Sequence, residues 1–285
     1  MSRTLSRTLS LVQWIRASAL VGYAFLALAA CAADGSFTRT TVDDTLEDGG
    51  GSWTDMELPD GGNKVWSGTK LMYAHSGDEL FRIEPTTLQV TSAGKFHPNA
   101  PHMNDLAVTP DGKLYSISSN NLYLVDPSDA AISWIAQVPG SVNVALTFDI
   151  DGTLLASDKS GNFHRIDPKT GISTNIGAYG AGFGSSGDLV GLKNGALYEV
   201  NDVDAKGNNT LITVDPKTGA ATVVGPIGFR MVWGLSFWGG TLYGFTRLGE
   251  FISIDPKTAK GTLIHTFPCE FWGAAVTPNA PLNLL

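Results

Sequence analysis

Few residues in this chain stand in a pattern that could do chemistry. His97 and His102 share one loop with Pro98, Pro101, Asn104 and Asp105, so two imidazoles and a carboxylate are available to a metal ion there. A proline-stiffened loop with solvated imidazoles explains the same residues without one. Asp105 and Asp188 stand at the same point of two different repeats, where the other repeats have Ala145, Gly234 and Gly273. Capping of backbone N–H groups is the plain reading of these acids, and carboxylate chemistry at a channel mouth is the other. Asp149-Ile150-Asp151-Gly152 opens like a calcium loop, but it lacks the later Glu and the flanking helices and reads as a hairpin turn. Trp233 and Trp272 also share a repeat position, with Arg230, Glu270 and Phe271 close by in sequence. Flat indoles beside polar groups suit a sugar ring or another small amphipathic ligand; packing between repeats is their alternative. The chain contains no G-x-S-x-G, no H-E-x-x-H, no Walker loop and no G-x-G-x-x-G opening a helix. No catalytic residue, cofactor or metal site is therefore assigned from motifs.

The most specific chemical signal lies near the start. Arg3, Arg7 and Arg16 are the only charges before position 31, and Ala17 to Ala30 is apolar or small. A positive segment followed by a short apolar run is a signal peptide, too short for a membrane span. It ends Leu28-Ala29-Ala30-Cys31, which resembles the lipobox of bacterial lipoproteins. That resemblance implies cleavage before Cys31, acylation of its sulfur and new amino terminus, and a stable anchor from two or more acyl chains. Ala32, rather than Asp, follows Cys31, which by the same resemblance favours the outer membrane, on its periplasmic or outer side. The chain has two cysteines, so a lipidated Cys31 leaves Cys269 as an unpaired small residue without a disulfide.

Residues 31–64 read as an acidic tether. Eight acids face two bases between positions 32 and 64, and Gly runs separate them. Low hydrophobicity with like charge predicts a flexible spacer. The whole chain carries a formal charge of −8, so no positive field draws phosphates and a nucleic-acid partner is excluded from the expectations.

From residue 65 onward one phrase returns. An aliphatic residue, an acid and Pro appear at Ile83-Glu84-Pro85, Val125-Asp126-Pro127, Ile166-Asp167-Pro168, Val214-Asp215-Pro216 and Ile254-Asp255-Pro256. The acids are spaced by 42, 41, 48 and 40 residues. A period in the forties, built of short strands and hairpin turns such as Asp111-Gly112 and Asn194-Gly195, marks a β-propeller with one four-stranded blade per repeat. The first repeat lacks its inner strand. Gly273-Ala274-Ala275-Val276-Thr277-Pro278 matches Asp105-Leu106-Ala107-Val108-Thr109-Pro110 and supplies it from the other end. The expected fold is all-β, a five-bladed propeller closed by a C-terminal strand joining the first blade.

Residues 65–285 resemble bacterial secreted propellers of the YVTN-like and quinoprotein-like group. Quinoprotein blades carry an acid-to-Trp docking pattern; Asp126 to Trp134 keeps that spacing, but Asn175, Val223 and Leu263 stand at the equivalent positions. The resemblance therefore implies the fold and no quinone. In gluconolactonase-like propellers a Glu, an Asn and an Asp at the channel mouth hold a divalent metal, and Asn104, Asp105 and Asp188 are the residues here that imitate them. Two functions are thus expected. The first is a lipid-anchored, non-enzymatic module that binds a protein or glycan through Trp233, Trp272, Arg230, Glu270, Asn104, Asp105 and Asp188. The alternative is a metal-dependent hydrolase or lyase at the channel mouth.

Overall fold

A computed structural model describes residues 71–138, 143–180, 182–203 and 206–283. Residues 1–64, read from the sequence as a signal peptide, Cys31 and a tether, lie outside the described residues. The described chain forms five antiparallel four-stranded sheets. Blade 1 holds β1 (Met72–His75), β2 (Glu79–Ile83) and β3 (Val90–Lys95). Blade 2 holds β4 (Asp105–Val108), β5 (Leu114–Ile117), β6 (Asn121–Val125) and β7 (Ile132–Gln137). Blade 3 holds β8 (Asn143–Phe148), β9 (Leu154–Asp158), β10 (Asn162–Ile166) and β11 (Ser173–Ala178). Blade 4 holds β12 (Ser185–Gly191), β13 (Leu197–Val203), β14 (Asn209–Val214) and β15 (Ala221–Pro226). Blade 5 holds β16 (Val232–Trp238), β17 (Thr241–Thr246), β18 (Glu250–Ile254) and β19 (Gly261–Thr266). The last strand, β20 (Gly273–Val276), pairs with β1 and completes blade 1, with Met72 opposite Val276 and His75 opposite Gly273. The inner strands β4, β8, β12, β16 and β20 touch in that order, and β20 returns to β4. The five-bladed, clasped propeller read from the repeats is the observed fold.

Apolar burial lies mainly between blades. Leu106, Val108 and Leu114 of blade 2 pack on Tyr73, Leu80 and Ala275 of blade 1. Leu146, Phe148 and Ile166 of blade 3 pack on Ala107, Ile117 and Leu122 of blade 2. The largest cluster joins blades 4, 5 and 1 around Phe245, Phe251, Phe271 and Phe81. Burying such side chains stabilises by roughly 1.5–3 kcal/mol each, so the ring is held at its seams.

The acid-Pro phrase makes these seams possible. In all five blades the N–H of the fourth residue after the acid donates to the acid's carbonyl, as in Ala130 to Asp126 and Gly171 to Asp167. In blades 2 to 5 the aspartate Oδ1 also accepts the N–H two residues on. The residue closing each turn has positive φ: Leu88, Ala130, Gly171, Gly219 and Ala259. The turns of blades 2 to 5 lean on the outer strand of the preceding blade. A Cβ on Gly171 would stand 2.2 Å from the carbonyl oxygen of Gln137 in β7, and one on Gly177 in β11 would meet Thr218 of the next turn.

The outer strands carry one further repeated device. Every outer strand has a bulge against its neighbour, and the residue left unpaired is Ala93, Ile135, Ile176, Val224 or Ile264. All five are partly buried hydrophobics that pack on the seam clusters. The bulge thus turns an apolar side chain inward and bends an edge that would otherwise template aggregation.

One sequence expectation needs correction: Cys269 is disulfide-bonded, not an unpaired sulfur. The chain's other cysteine is Cys31, outside the described residues.

Three outcomes are expected. Deleting residues 271–285 removes β20, leaving β1 and both neighbouring inner strands exposed; the truncated chain should aggregate or lose cooperative urea unfolding, and unchanged melting would refute the clasp. Gly171→Ala should cost about 2–4 kcal/mol in urea unfolding, from left-handed strain and the clash with Gln137. Ala259→Gly, at the equivalent turn, should stay within about 1 kcal/mol of wild type because relief of strain offsets unfolded-chain entropy.

Candidate functional site

The axis of the ring is polar, and two carboxyl groups fill it. Asp105 opens β4 and Asp188 lies in β12, and both are wholly buried. The Leu106 N–H donates to Asp105 Oδ1 at 2.8 Å and the Leu146 N–H to Oδ2 at 2.7 Å. The Leu189 N–H donates to Asp188 Oδ1 at 2.6 Å, while Leu235 and Ala274 donate to Oδ2 at 2.7 and 2.9 Å. These five donors come one from each inner strand. The two side chains also hydrogen-bond each other, which requires a proton between them. The small residues Ala145, Gly234 and Gly273 at the other three positions leave room for the pair. A Cβ on Gly234 would be 2.9 Å from the Gly273 carbonyl carbon.

This placement moves Asp105 and Asp188 from the rim, where the sequence reading put them as ligand-binding residues, to a buried hub. Their oxygens already accept backbone N–H groups, so the carboxylates that a metal-dependent hydrolase would use are engaged. Among the described residues no group of three or more His, Cys, Asp or Glu side chains could hold a metal ion. The aspartates of Asp149-Ile150-Asp151-Gly152 form a turn in which Asp149 Oδ1 accepts the N–H groups of Asp151 and Thr153. Asn104 sits half-buried above the hub, its N–H donating to the Ile117 carbonyl.

Burial pushes Asp188 up to about 8, and burial with the neighbouring Asp188 charge raises Asp105 well above the usual carboxylate range. A further buried acid, Glu199 on β13, is raised by burial as well; it accepts from Ser157 of blade 3 at 2.9 Å and from the Tyr179 hydroxyl. His75 moves the other way, down to about 4, because burial disfavours its charged form.

Above the hub lies an aromatic rim. Trp233 is the extra residue of a bulge between β16 and β17, where Val232 faces Thr246 and Gly234 faces Phe245. A bulge re-aims a side chain, and here it sends the indole towards the mouth. Trp272 precedes β20, and the two indoles meet edge to face at 5.8 Å and 87°. Phe271 anchors Trp272 from below, fully buried against Phe245 and Phe81 at 5.3 and 5.7 Å. The Arg247 guanidinium lies 5.0 Å over the Trp233 ring and reaches Glu270 at 3.3 Å. Glu270 also accepts the Trp272 indole N–H at 3.2 Å. His102 stacks on Trp272 at 5.9 Å and 20°, an approach that Gly77 allows, since a Cβ there would be 2.8 Å from His102 Nδ1.

The structure thus brings together Trp233, Trp272 and Glu270 of the residues singled out by sequence. The arginine over the indole is Arg247, at the tip of the β17–β18 hairpin; Arg230 is exposed in the preceding loop. His102 serves as an aromatic neighbour, while His97 lies 3.9 Å from Asp129. Sequence reasoning missed Arg247 and His75. In a propeller the second hairpin of each blade points to the same end as the blade-to-blade loops, and that rule would have found Arg247.

The hub predicts an alkaline weakness. A carboxyl with a raised folded pKa binds more protons folded than unfolded, so its stabilisation is full below the ordinary aspartate value of 3.8 and is lost as pH rises through the folded value, about 8 for Asp188. His75 opposes this only between about 4 and 6.5, where its stabilisation is lost as pH falls. Stability should therefore decline from pH 6.5 to 9, by up to about 1.4 kcal/mol per pH unit for each proton released. Asp105→Asn keeps a donor towards Asp188 without a titrating proton; it should lower stability at pH 6 but flatten this decline in chemical unfolding. An equally steep decline in the variant would refute the shared proton.

No protein-family model matches this chain, and no curated protein does. Solved structures do resemble it. A chain described as "Crystal structure of Nidogen/Laminin Complex" has a TM-score of 0.50 at 12% identity, covering 73% of this chain and 81% of that one. Another, described as "The de novo evolutionary emergence of a symmetrical protein is shaped by folding constraints", has a TM-score of 0.50 at 19% identity, covering 74% of this chain and 99% of that one. At such identities the likeness concerns architecture alone, and the chain is a five-bladed β-propeller.

Proposed function

We propose that the protein is a lipid-anchored, non-enzymatic binding module of the bacterial outer membrane, which takes a glycan ring on the aromatic rim. The observation that carries this reading is the pair Trp233 and Trp272, both only partly buried at the channel mouth, with the Arg247–Glu270 ion pair beside them. Indole faces pack on the C–H face of a sugar, and a guanidinium next to a carboxylate offers a donor and an acceptor to its hydroxyls. Backbone strain at the rim supports it: Met231, two residues before Trp233, has φ +55° and an exposed side chain. Strain of that kind clusters at ligand sites. The anchor rests on Leu28-Ala29-Ala30-Cys31, and the acidic tether would hold the propeller off the membrane.

Two measurements test the reading. Trp233→Ala and Trp272→Ala should each weaken binding of soluble oligosaccharides, followed by indole fluorescence, by more than about 1 kcal/mol while unfolding changes less. A loss of 3–5 kcal/mol in stability, typical of emptying a packed Trp site, with indoles shielded from acrylamide, would refute the rim as a binding surface. Labelled palmitate should enter the wild-type chain and not Cys31→Ala. The anchor requires Cys31 to be acylated rather than bonded to Cys269, which the structure has in a disulfide, so an intact mass showing Cys31 joined to Cys269 would overturn the anchor.

A further inference from the structure

We infer that His75, Asp105 and Asp188 form a proton-responsive latch beneath the aromatic rim, whose charge state sets the position of Trp272. The functional weight of the latch rests on the rim being the binding surface, but its existence can be tested without a ligand.

His75 ends β1 and is wholly buried. Its Nδ1 lies 2.6 Å from the Ser76 carbonyl oxygen, so Nδ1 carries the proton and donates. Nε2 is left as a buried acceptor with no hydrogen-bond partner. Such a group costs about 1–3 kcal/mol and calls for a reason. Nε2 faces the hub: a Cβ on Gly273 would stand 2.5 Å from it and 2.4 Å from Asp105 Oδ1. Imidazole, carboxyl and Gly273 therefore share one small space. This is why position 273 needs Gly, although Ala145 is accepted at the same point of blade 3.

The backbone around Gly273 is tied to both titrating partners. On one side the Trp272 N–H donates to the His75 carbonyl at 2.8 Å. On the other the Ala274 N–H donates to Asp188 Oδ2 at 2.9 Å. Trp272 thus stands on a short backbone segment held at two points, by residues that can each change charge. On acidification His75 Nε2 gains a proton and becomes a donor facing Asp105. On alkalinisation the acid pair loses the proton that joins it, and two buried like charges repel. Burial spaces the two events apart, holding His75 at about 4 and raising both acids, so one resting state spans neutral pH.

Other charged groups surround the latch. On β2, Glu79 accepts from Ser92. In the hairpin after β1, Asp78 pairs with Lys95 at 2.8 Å. Glu199 on β13 is held by Ser157 and Tyr179. At the rim, Glu270 bonds the Trp272 indole and Arg247, and His102 stacks on that indole. Glu270 and His102 touch Trp272 directly and are the necessary controls.

The test is an NMR titration of the full chain from pH 3.5 to 9.5. It follows the Trp272 indole N–H, assigned with Trp272→Phe, and the amides of Leu146, Leu235 and Ala274. The indole should move in two steps whose midpoints match those of the Ala274 amide. His75→Gln should abolish the acid step and Asp105→Asn the alkaline step, while both persist in His102→Gln and Glu270→Gln. An indole that stays fixed while Ala274 moves, or whose steps vanish in His102→Gln or Glu270→Gln, overturns the latch. If Asp105→Asn does not fold, the His75→Gln arm decides alone. Failure of the rim as a binding surface would show separately, as unchanged oligosaccharide binding by Trp272→Ala while the wild-type indole still moves in both steps.

Discussion

The ring depends on one buried pair. Five inner strands converge on the axis, and each brings a backbone N–H that water cannot reach. Asp105 and Asp188 accept all five and bond each other. Without these oxygens five donors would lie buried and unpaired, at about 1–3 kcal/mol apiece. The cost of burying the acids is moderated by the proton they keep. Hydrophobic seams press the blades together, but they are non-directional and do not by themselves fix how the inner strands meet. The carboxyl pair supplies that direction.

The rim is built on this centre. Phe271 seats the last loop in the seam between blades 5 and 1, so Glu270 and Trp272 on either side of it come to the mouth. The bulge at Trp233 supplies the second indole from blade 5. Arg247 and Glu270 neutralise each other, so the mouth offers hydrogen-bonding groups without a strong local charge on a chain that is acidic overall.

The blades were legible because their signals are local. An acid-Pro turn and an Asp-Gly hairpin work within a few residues, and their spacing counts the blades. The clasp was legible because Ala274-Ala275-Val276-Thr277-Pro278 repeats Leu106-Ala107-Val108-Thr109-Pro110. The pairing of Asp105 with Asp188 was not, since it arises only when non-adjacent blades face each other across the axis. Each acid alone looks like a strand cap, and each is one. Arg247 was missed for a related reason: it reaches Trp233 from another loop of blade 5. His102 drew attention as a metal ligand, when its nearest aromatic neighbour, Trp272, lies at the opposite end of the described chain.

The hub also constrains how such a chain can evolve. Repeat proteins readily gain or lose units by unequal recombination, because each unit resembles its neighbours. Here the units are alike at their turns and seams but not at the axis, where two carry an acid and three carry Ala or Gly. A sixth blade would bring another N–H and widen the ring beyond the reach of two aspartates bonded to each other. A lost blade would crowd the carboxyls or remove one of them. The hydrogen-bond count at the centre therefore ties the gene to five repeats in a fixed order, and change is left to the loops at the mouth.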